Sequence, residues 1–152
     1  MNYNKIETHY YEQLFSIMRR MYLPNTATEQ QFRRMVFNIV AKNCDDHTKN
    51  ISFLMDKNGN WSLSPAYDMT YAYDPASYWN PRHLMGINGK FENFTVKDFE
   101  KIGRETNVKN WKLILDQICD VVSRWPEYAK SAGVDKALYE KIGAVHETGI
   151  NK

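Results

Sequence analysis

The sequence is poor in the residues that would commit it to a specialised architecture. Two cysteines in 152 residues, Cys44 and Cys119, cannot build a disulfide framework and point to a reducing compartment. Seven glycines include no Gly-x-Gly-x-x-Gly phosphate cradle. No apolar run approaches the ~20 residues that span a bilayer. Met1-Asn2-Tyr3-Asn4-Lys5 leads into a mixed polar and aromatic stretch with neither the h-region nor the cleavage site of a signal peptide. A soluble, cytoplasmic protein with no membrane partner is expected. Lys and Arg number 20 against 18 Asp and Glu, and the resulting +2 makes no electrostatic case for nucleic acid or an acidic membrane. There is no internal repeat and no low-complexity tract.

What is present is enough for one core. A hydrophobic fraction of 43% and an aromatic fraction of 14% exclude wholesale disorder, and the length suits one domain over 1–152. Ile6, Tyr10, Leu14, Ile17 and Met21 fall at helical spacing. Pro24-Asn25 breaks that pattern. Thr28 and Gln31 form a capping-box signal for a second helix, with Phe32, Met35, Val36, Ile39 and Val40 on one face. Arg19-Arg20 and Arg33-Arg34 fall off these stripes and read as solvated. Ile51–Met55 and Trp61–Ser64 read as two short strands joined at Asn58-Gly59, a strong hairpin signal. The aromatic stretch 70–94 reads as a long ordered loop, of the kind that is usually functional. Thr95 caps a helix through Glu105. Another runs from Lys109, with Trp111, Ile114, Leu115, Ile118, Val121, Val122 and Trp125 as a core stripe, until Pro126 kinks or ends it. A last helix after Gly133 carries Ala137, Leu138, Ile142 and Val145, and the tail from Glu147 is expected to fray. The fold class is mainly α with a small β-hairpin.

The chemistry concentrates around that hairpin. Asn43-Cys44-Asp45-Asp46-His47-Thr48-Lys49-Asn50 is dense in polar and ionisable groups. A hairpin holds its ends together. Asn50 stands at its entrance and Asp68 just past its exit, so Asp45, Asn50 and Asp68 are expected to converge. Asn50 and Asp68 offer two oxygens of the kind Mg²⁺ takes when phosphate and water fill its other positions. Asp45 then stands ready to orient a hydroxyl and accept its proton. Taken alone the octet is a solvated turn; the hairpin and Asp68 change that reading. Zinc is a poor fit to Cys44, Asp45, Asp46 and His47, because successive residues rarely converge on one metal. Asp56-Lys57-Asn58-Gly59-Asn60 is a turn and not a calcium loop, since Tyr67 stands where the closing Glu belongs.

Asp-x-x-x-x-Asn, a hairpin and then a metal-binding Asp resembles the catalytic-loop layout of protein kinases. The local form Asp45-Asp46-His47-Thr48-Lys49-Asn50 is nearer the Asp-x-His-x-x-Asn loop of phosphatidylinositol-kinase-like and aminoglycoside-kinase-like enzymes. The stretch from Phe32 to Tyr73 resembles HipA-type serine/threonine kinases, the toxins of bacterial toxin–antitoxin pairs. Arg34-Met35-Val36-Phe37-Asn38, the octet from Asn43 to Asn50, and Leu63-Ser64-Pro65-Ala66-Tyr67-Asp68 carry the resemblance. Trp79-Asn80-Pro81-Arg82-His83-Leu84-Met85-Gly86-Ile87-Asn88-Gly89-Lys90 adds to it less specifically. The resemblance implies the C-lobe of a protein-kinase-like fold, with a catalytic loop at 43–50 and a metal-binding segment at 64–69. It implies Asp45 as catalytic base and Asn50 and Asp68 as metal and nucleotide ligands. His47 and Lys49 would support the loop, His47 as a brace and Lys49 near phosphate. ATP and Mg²⁺ are the implied cofactors. A HipB-like antitoxin, an aminoacyl-tRNA synthetase as substrate, and DNA reached only through the antitoxin are the implied partners.

The N-terminal nucleotide-binding lobe of such a kinase has no counterpart here. Two helices precede the octet, with no strand lysine to pair the α and β phosphates. The isolated chain is therefore expected to be inactive and the parent protein, with that lobe, to be the kinase. Two other readings stay open: a non-catalytic module that sequesters an antitoxin or a partner lobe, and a small-molecule kinase of the aminoglycoside or choline type. Tyr71–Trp79 reads either as a peptide platform or as packing against the chain's own helices.

Overall fold

The computed structural model describes residues 8–152. Among them are six α-helices and four strands of two or three residues, the mainly helical fold with one hairpin that was expected. Helix α1 (Tyr11–Arg20) buries Tyr11, Leu14, Phe15 and Met18, spaced i, i+3, i+4, i+7. This face is not the expected one. Ile17 is exposed, and Tyr10 is not helical at all. His9–Tyr10 form strand β1, which pairs in parallel with β4 (Met85–Gly86). Pairing to a remote segment has overridden local periodicity, and Gln13 Oε1 accepts the Tyr10 N–H at 2.9 Å where the helix begins. Ile6, the first residue of the expected stripe, lies outside the described residues.

Helix α2 (Asn25–Val40) buries Phe32, Met35, Val36, Ile39 and Val40 completely, as its stripe required. It starts a turn before Thr28. Pro24 is extended, and its carbonyl accepts from Ala27 and Thr28 in the first turn. Strands β2 (Phe53–Met55) and β3 (Trp61–Leu63) pair antiparallel, Phe53 opposite Leu63 and Met55 opposite Trp61. Gly59, at φ +83°, makes the turn between them. The Asp56 carboxylate takes the N–H groups of Asn58 and Asn60 and the Asn60 amide, so this segment is a side-chain-held turn.

Helix α3 (Val96–Glu105) opens on the Thr95–Asp98 capping box. Helix α4 (Trp111–Ser123) lies across α2 and beside α3, and buries Ile114, Leu115, Ile118, Cys119 and Val122. Val121 turns outward. Pro126 does not simply stop α4; it sits in the first turn of a separate helix, α5 (Trp125–Ser131), where a missing N–H costs nothing. Helix α6 (Lys136–Gly143) is capped by Asp135, pairs with α5, and buries Tyr139 and Ile142 while Leu138 is exposed. The tail does not fray. Glu147 N–H donates to the Val40 carbonyl at 2.9 Å, its carboxylate takes Lys42 Nζ at 2.6 Å, and Ile150 packs on the core.

Helices α1, α2, α3 and α5 end alike. Tyr22, Lys42, Asn107 and Gly133 adopt left-handed φ, and the next residue donates back five positions: Leu23 to Met18, Asn43 to Asn38, Val108 to Gly103, Val134 to Ala129. At the end of α2 this turn aims the chain into the polar octet. Both cysteines are free and buried. Among the described residues no helix is long and apolar enough to cross a membrane.

Candidate functional site

The polar octet leaves α2 at Asn43 and closes in a 3-10 turn over Thr48–Asn50. Asn50 Nδ2 donates to the Asp45 carbonyl at 3.0 Å and ties the two ends of the loop together. Segment 64–72 comes back beside it, held at three points. Ser64 accepts Arg34 Nη2 on its carbonyl at 2.8 Å, and its hydroxyl meets that of Ser52 at 2.9 Å. Asn43 Nδ2 donates to the Asp68 carbonyl at 3.0 Å. Ala72 bridges in parallel to Asn43, its N–H donating to the Lys42 carbonyl while its carbonyl accepts from Cys44. Arg34 is thus half-buried and engaged, not solvated as expected, and burial lowers its pKa.

The hairpin brings two of the three expected groups, Asn50 and Asp68, to one place and leaves Asp45 outside it. His47, Asn50 and Asp68 line one small cavity, with Asn43, Asp46 and Gln31. Asp68 holds a left-handed φ of +52°, a conformation that Asp tolerates better than most residues. Asp45 is not among the cavity's lining residues; its side chain is 54% exposed, with His47 Nε2 3.9 Å away. Lys49 lies on the other side of the loop, in a groove shared with Ile17, Ile51 and Phe53, and its carbonyl accepts the Tyr67 hydroxyl at 2.8 Å.

The donors present suit a divalent cation that also binds phosphate. The Asn50 amide spends its nitrogen on Asp45 and keeps its oxygen as an acceptor. The Asp68 carboxylate has no hydrogen-bond partner among the described residues. One amide oxygen and one carboxylate fit a Mg²⁺ whose remaining positions go to phosphate and water. Among the described residues no three of His, Cys, Asp and Glu gather as a metal set.

Asp46 is the buried carboxylate of the octet. Its carboxylate accepts from Tyr11 Oη at 3.0 Å, from the Leu84 N–H at 2.8 Å and from the Met85 N–H at 3.4 Å, and lies 3.1 Å from His83 Nδ1. Burial alone would push the His83 imidazole down, but the charge and hydrogen bond of Asp46 carry it up to about 10. Burial and the same carboxylate hold the Tyr11 hydroxyl well above 10. His47, by contrast, leaves Nδ1 buried with no partner. Asn38, Asn43 and His83 were also missed. The available signals were Asn38 inside an apolar helix face and two adjacent aspartates, of which one can face water.

Residues 1–125 match the HipA-like C-terminal domain family. The chain belongs to that family. A search of the curated proteins finds no match. In this HipA-like domain the matched region takes in the octet, the hairpin, Asp68 and His83. Helices α5 and α6 and the docked tail lie almost wholly beyond it.

Proposed function

We propose that this HipA-like domain is the catalytic lobe of a Mg²⁺- and ATP-dependent serine/threonine protein kinase of a toxin–antitoxin pair. The observation that carries the reading is the meeting of Asn50 and Asp68 at one cavity, with exposed Asp45 tied to Asn50 at the other end of the loop. Asn50 Oδ1 and the Asp68 carboxylate would hold Mg²⁺, which would supply charge neutralisation to the phosphates. Asp45 orients the acceptor hydroxyl and takes its proton as the hydroxyl oxygen bonds to the γ-phosphorus and the bond from that phosphorus to the leaving ADP breaks. Lys49 supports the loop from its other side, where its carbonyl takes the Tyr67 hydroxyl. A kinase-like C-lobe needs a nucleotide-binding lobe over it, and that lobe is the first partner. A HipB-like antitoxin, an aminoacyl-tRNA synthetase substrate, indirect contact with DNA and a cytoplasmic setting follow from the family reading.

The test supplies the domain with a nucleotide-binding lobe, fused or in trans, and follows labelled phosphate from Mg²⁺–ATP to protein. The domain by itself is expected to transfer none. The completed enzyme is expected to transfer, and Asp45→Asn to slow it by about 10²- to 10⁴-fold. Transfer that survives both Asp45→Asn and Asp68→Ala refutes the assignment. A second reading, a non-catalytic binding module, draws on the exposed apolar face of the hairpin, where Met55 and Trp61 pair outside the core. It predicts tight capture of the added lobe with no transfer.

A further inference from the structure

Five buried polar side chains from four stretches of the chain form one continuous line beneath the candidate site. His83 Nδ1 meets Asp46 Oδ2 at 3.1 Å. The Tyr11 hydroxyl donates to that same oxygen at 3.0 Å. Asn38 Nδ2 donates to the Tyr11 hydroxyl at 3.1 Å. Asn43 Nδ2 donates to Asn38 Oδ1 and to the backbone carbonyl of Asp68, each at 3.0 Å. None of the five is more than 9% exposed. The line enters from within the aromatic stretch 70–94, at His83, and ends on the left-handed residue of the metal-binding segment.

An apolar core of the same shape would be as stable or more so, so buried charge of this kind is weak evidence for stability. What the line supplies is register. Asp46 fastens the loop that carries Asp45 to the N–H groups of Leu84 and Met85. Asn43 fixes the carbonyl of Asp68 and so the strained turn that aims its carboxylate. Because Asn43 Nδ2 is committed to two oxygens, its orientation is set, and Oδ1 is left buried with no protein partner beside the cavity.

We infer that Asp46 and His83 are positioning residues for phosphoryl transfer, acting through Tyr11, Asn38 and Asn43 to set the geometry of Asp45 and Asp68. The inference rests on the kinase reading above. It assigns the segment around His83, which contributes nothing directly to the metal site, a part in shaping it.

The test uses the ¹⁵N-labelled full chain and Mn²⁺ as a paramagnetic probe. Mn²⁺ is expected to broaden the amides of Asn50 and Asp68. His83→Gln has no hydrogen bond to either residue, yet it is expected to shift the amides of Asn43 and Asp68 and to weaken Mn²⁺ binding about tenfold. Both proteins are compared at a temperature where circular dichroism shows them folded. Tyr11→Phe keeps the ring in the core and cuts the line at its middle, so it carries the test if His83→Gln does not fold. Shifts confined to the immediate neighbours of the substituted residue, with Mn²⁺ affinity unchanged, overturn the inference, because a packing role alone gives that result. Native chain in which Mn²⁺ broadens neither Asn50 nor Asp68 refutes the metal reading instead, and the amide shifts still decide the positioning.

Discussion

Replacing Asp46 by Asn makes a demanding prediction because its cost and its pH dependence can be worked separately. The amide oxygen can still accept from Leu84 and Met85. The amide nitrogen must then face the Tyr11 hydroxyl and His83 Nδ1, where the native carboxylate accepted from both. Breaking a buried pair by removing one charge costs about 3–5 kcal/mol. The titration of His83 leads to a similar figure. Its folded value of about 10 lies above its ordinary 6.5. The stabilisation is therefore fully present below pH 6.5 and is lost as pH rises through about 10. Each pH unit inside that window removes about 1.4 kcal/mol, and the whole window about 5 kcal/mol as a ceiling. A domain of this size has a total stability of about 5–15 kcal/mol, so Asp46→Asn removes a large share. Urea unfolding followed by tryptophan fluorescence measures both quantities. Native protein is expected to be roughly 3 kcal/mol less stable near pH 9 than near pH 6. The variant is expected to be destabilised by about 3 kcal/mol or more near neutral pH and to lose the alkaline slope. Tyr11, held well above 10, titrates beyond this window. A loss below about 1 kcal/mol, or an unchanged alkaline slope in the variant, refutes the ion pair as described.

Two further predictions concern the frame around the site. A Cβ on Gly103 would lie 2.5 Å from Trp111 Cβ and 2.6 Å from its Cγ. Gly103→Ala is therefore expected to cost about 1–3 kcal/mol in a thermal melt, and an unchanged melt would deny the close approach of α3 and α4. Asp98 is buried, which favours its neutral form, but bonds from Lys90, Thr95 and Asn88 win and hold its pKa below the ordinary 3.8. Its stabilisation is present above pH 3.8 and is lost as pH falls through the lowered value. Asp98→Asn should cost about 0.5–2 kcal/mol at neutral pH and flatten the acid limb of the stability curve; an acid limb like that of the native protein would contradict this.

The legible part of this fold was its local physics. The α2 stripe, the Asn58-Gly59 hairpin and the Thr95 cap each rest on a few adjacent residues, and each is where the sequence put it. The hairpin then carried the site, because closing a turn brings Asn50 and Asp68 together whatever surrounds them. The misreadings share a different cause. β1 belongs to a pairing with Met85–Gly86, and no period within residues 6–21 encodes a partner so far along the chain. Arg34 reads as a surface charge until Ser64 presents a carbonyl to it. Tyr22, Lys42 and Asn107 end helices in a conformation usually signalled by glycine, and only Gly133 advertised it. Asp45 and Asp46 are chemically identical, and what separates them is burial. His83 was visible only as one polar residue in a resemblance of low specificity, since its meaning comes from a carboxylate 37 positions earlier.

The docked tail has a consequence for when the candidate loop can exist. The Val40 carbonyl, at the last turn of α2 where the loop begins, is satisfied by the N–H of Glu147, and Lys42 by the carboxylate of the same residue. Asn151 then clasps Asp116 on α4. The mouth of the loop is thus finished by residues synthesised about a hundred positions later, and contacts of such long range are closed after local helices have formed. A nascent chain can carry α1, α2 and the hairpin well before it carries a completed loop. Closure of the candidate loop therefore waits on residues 147–151, and a change there acts on the loop of Asp45 rather than on a neutral surface.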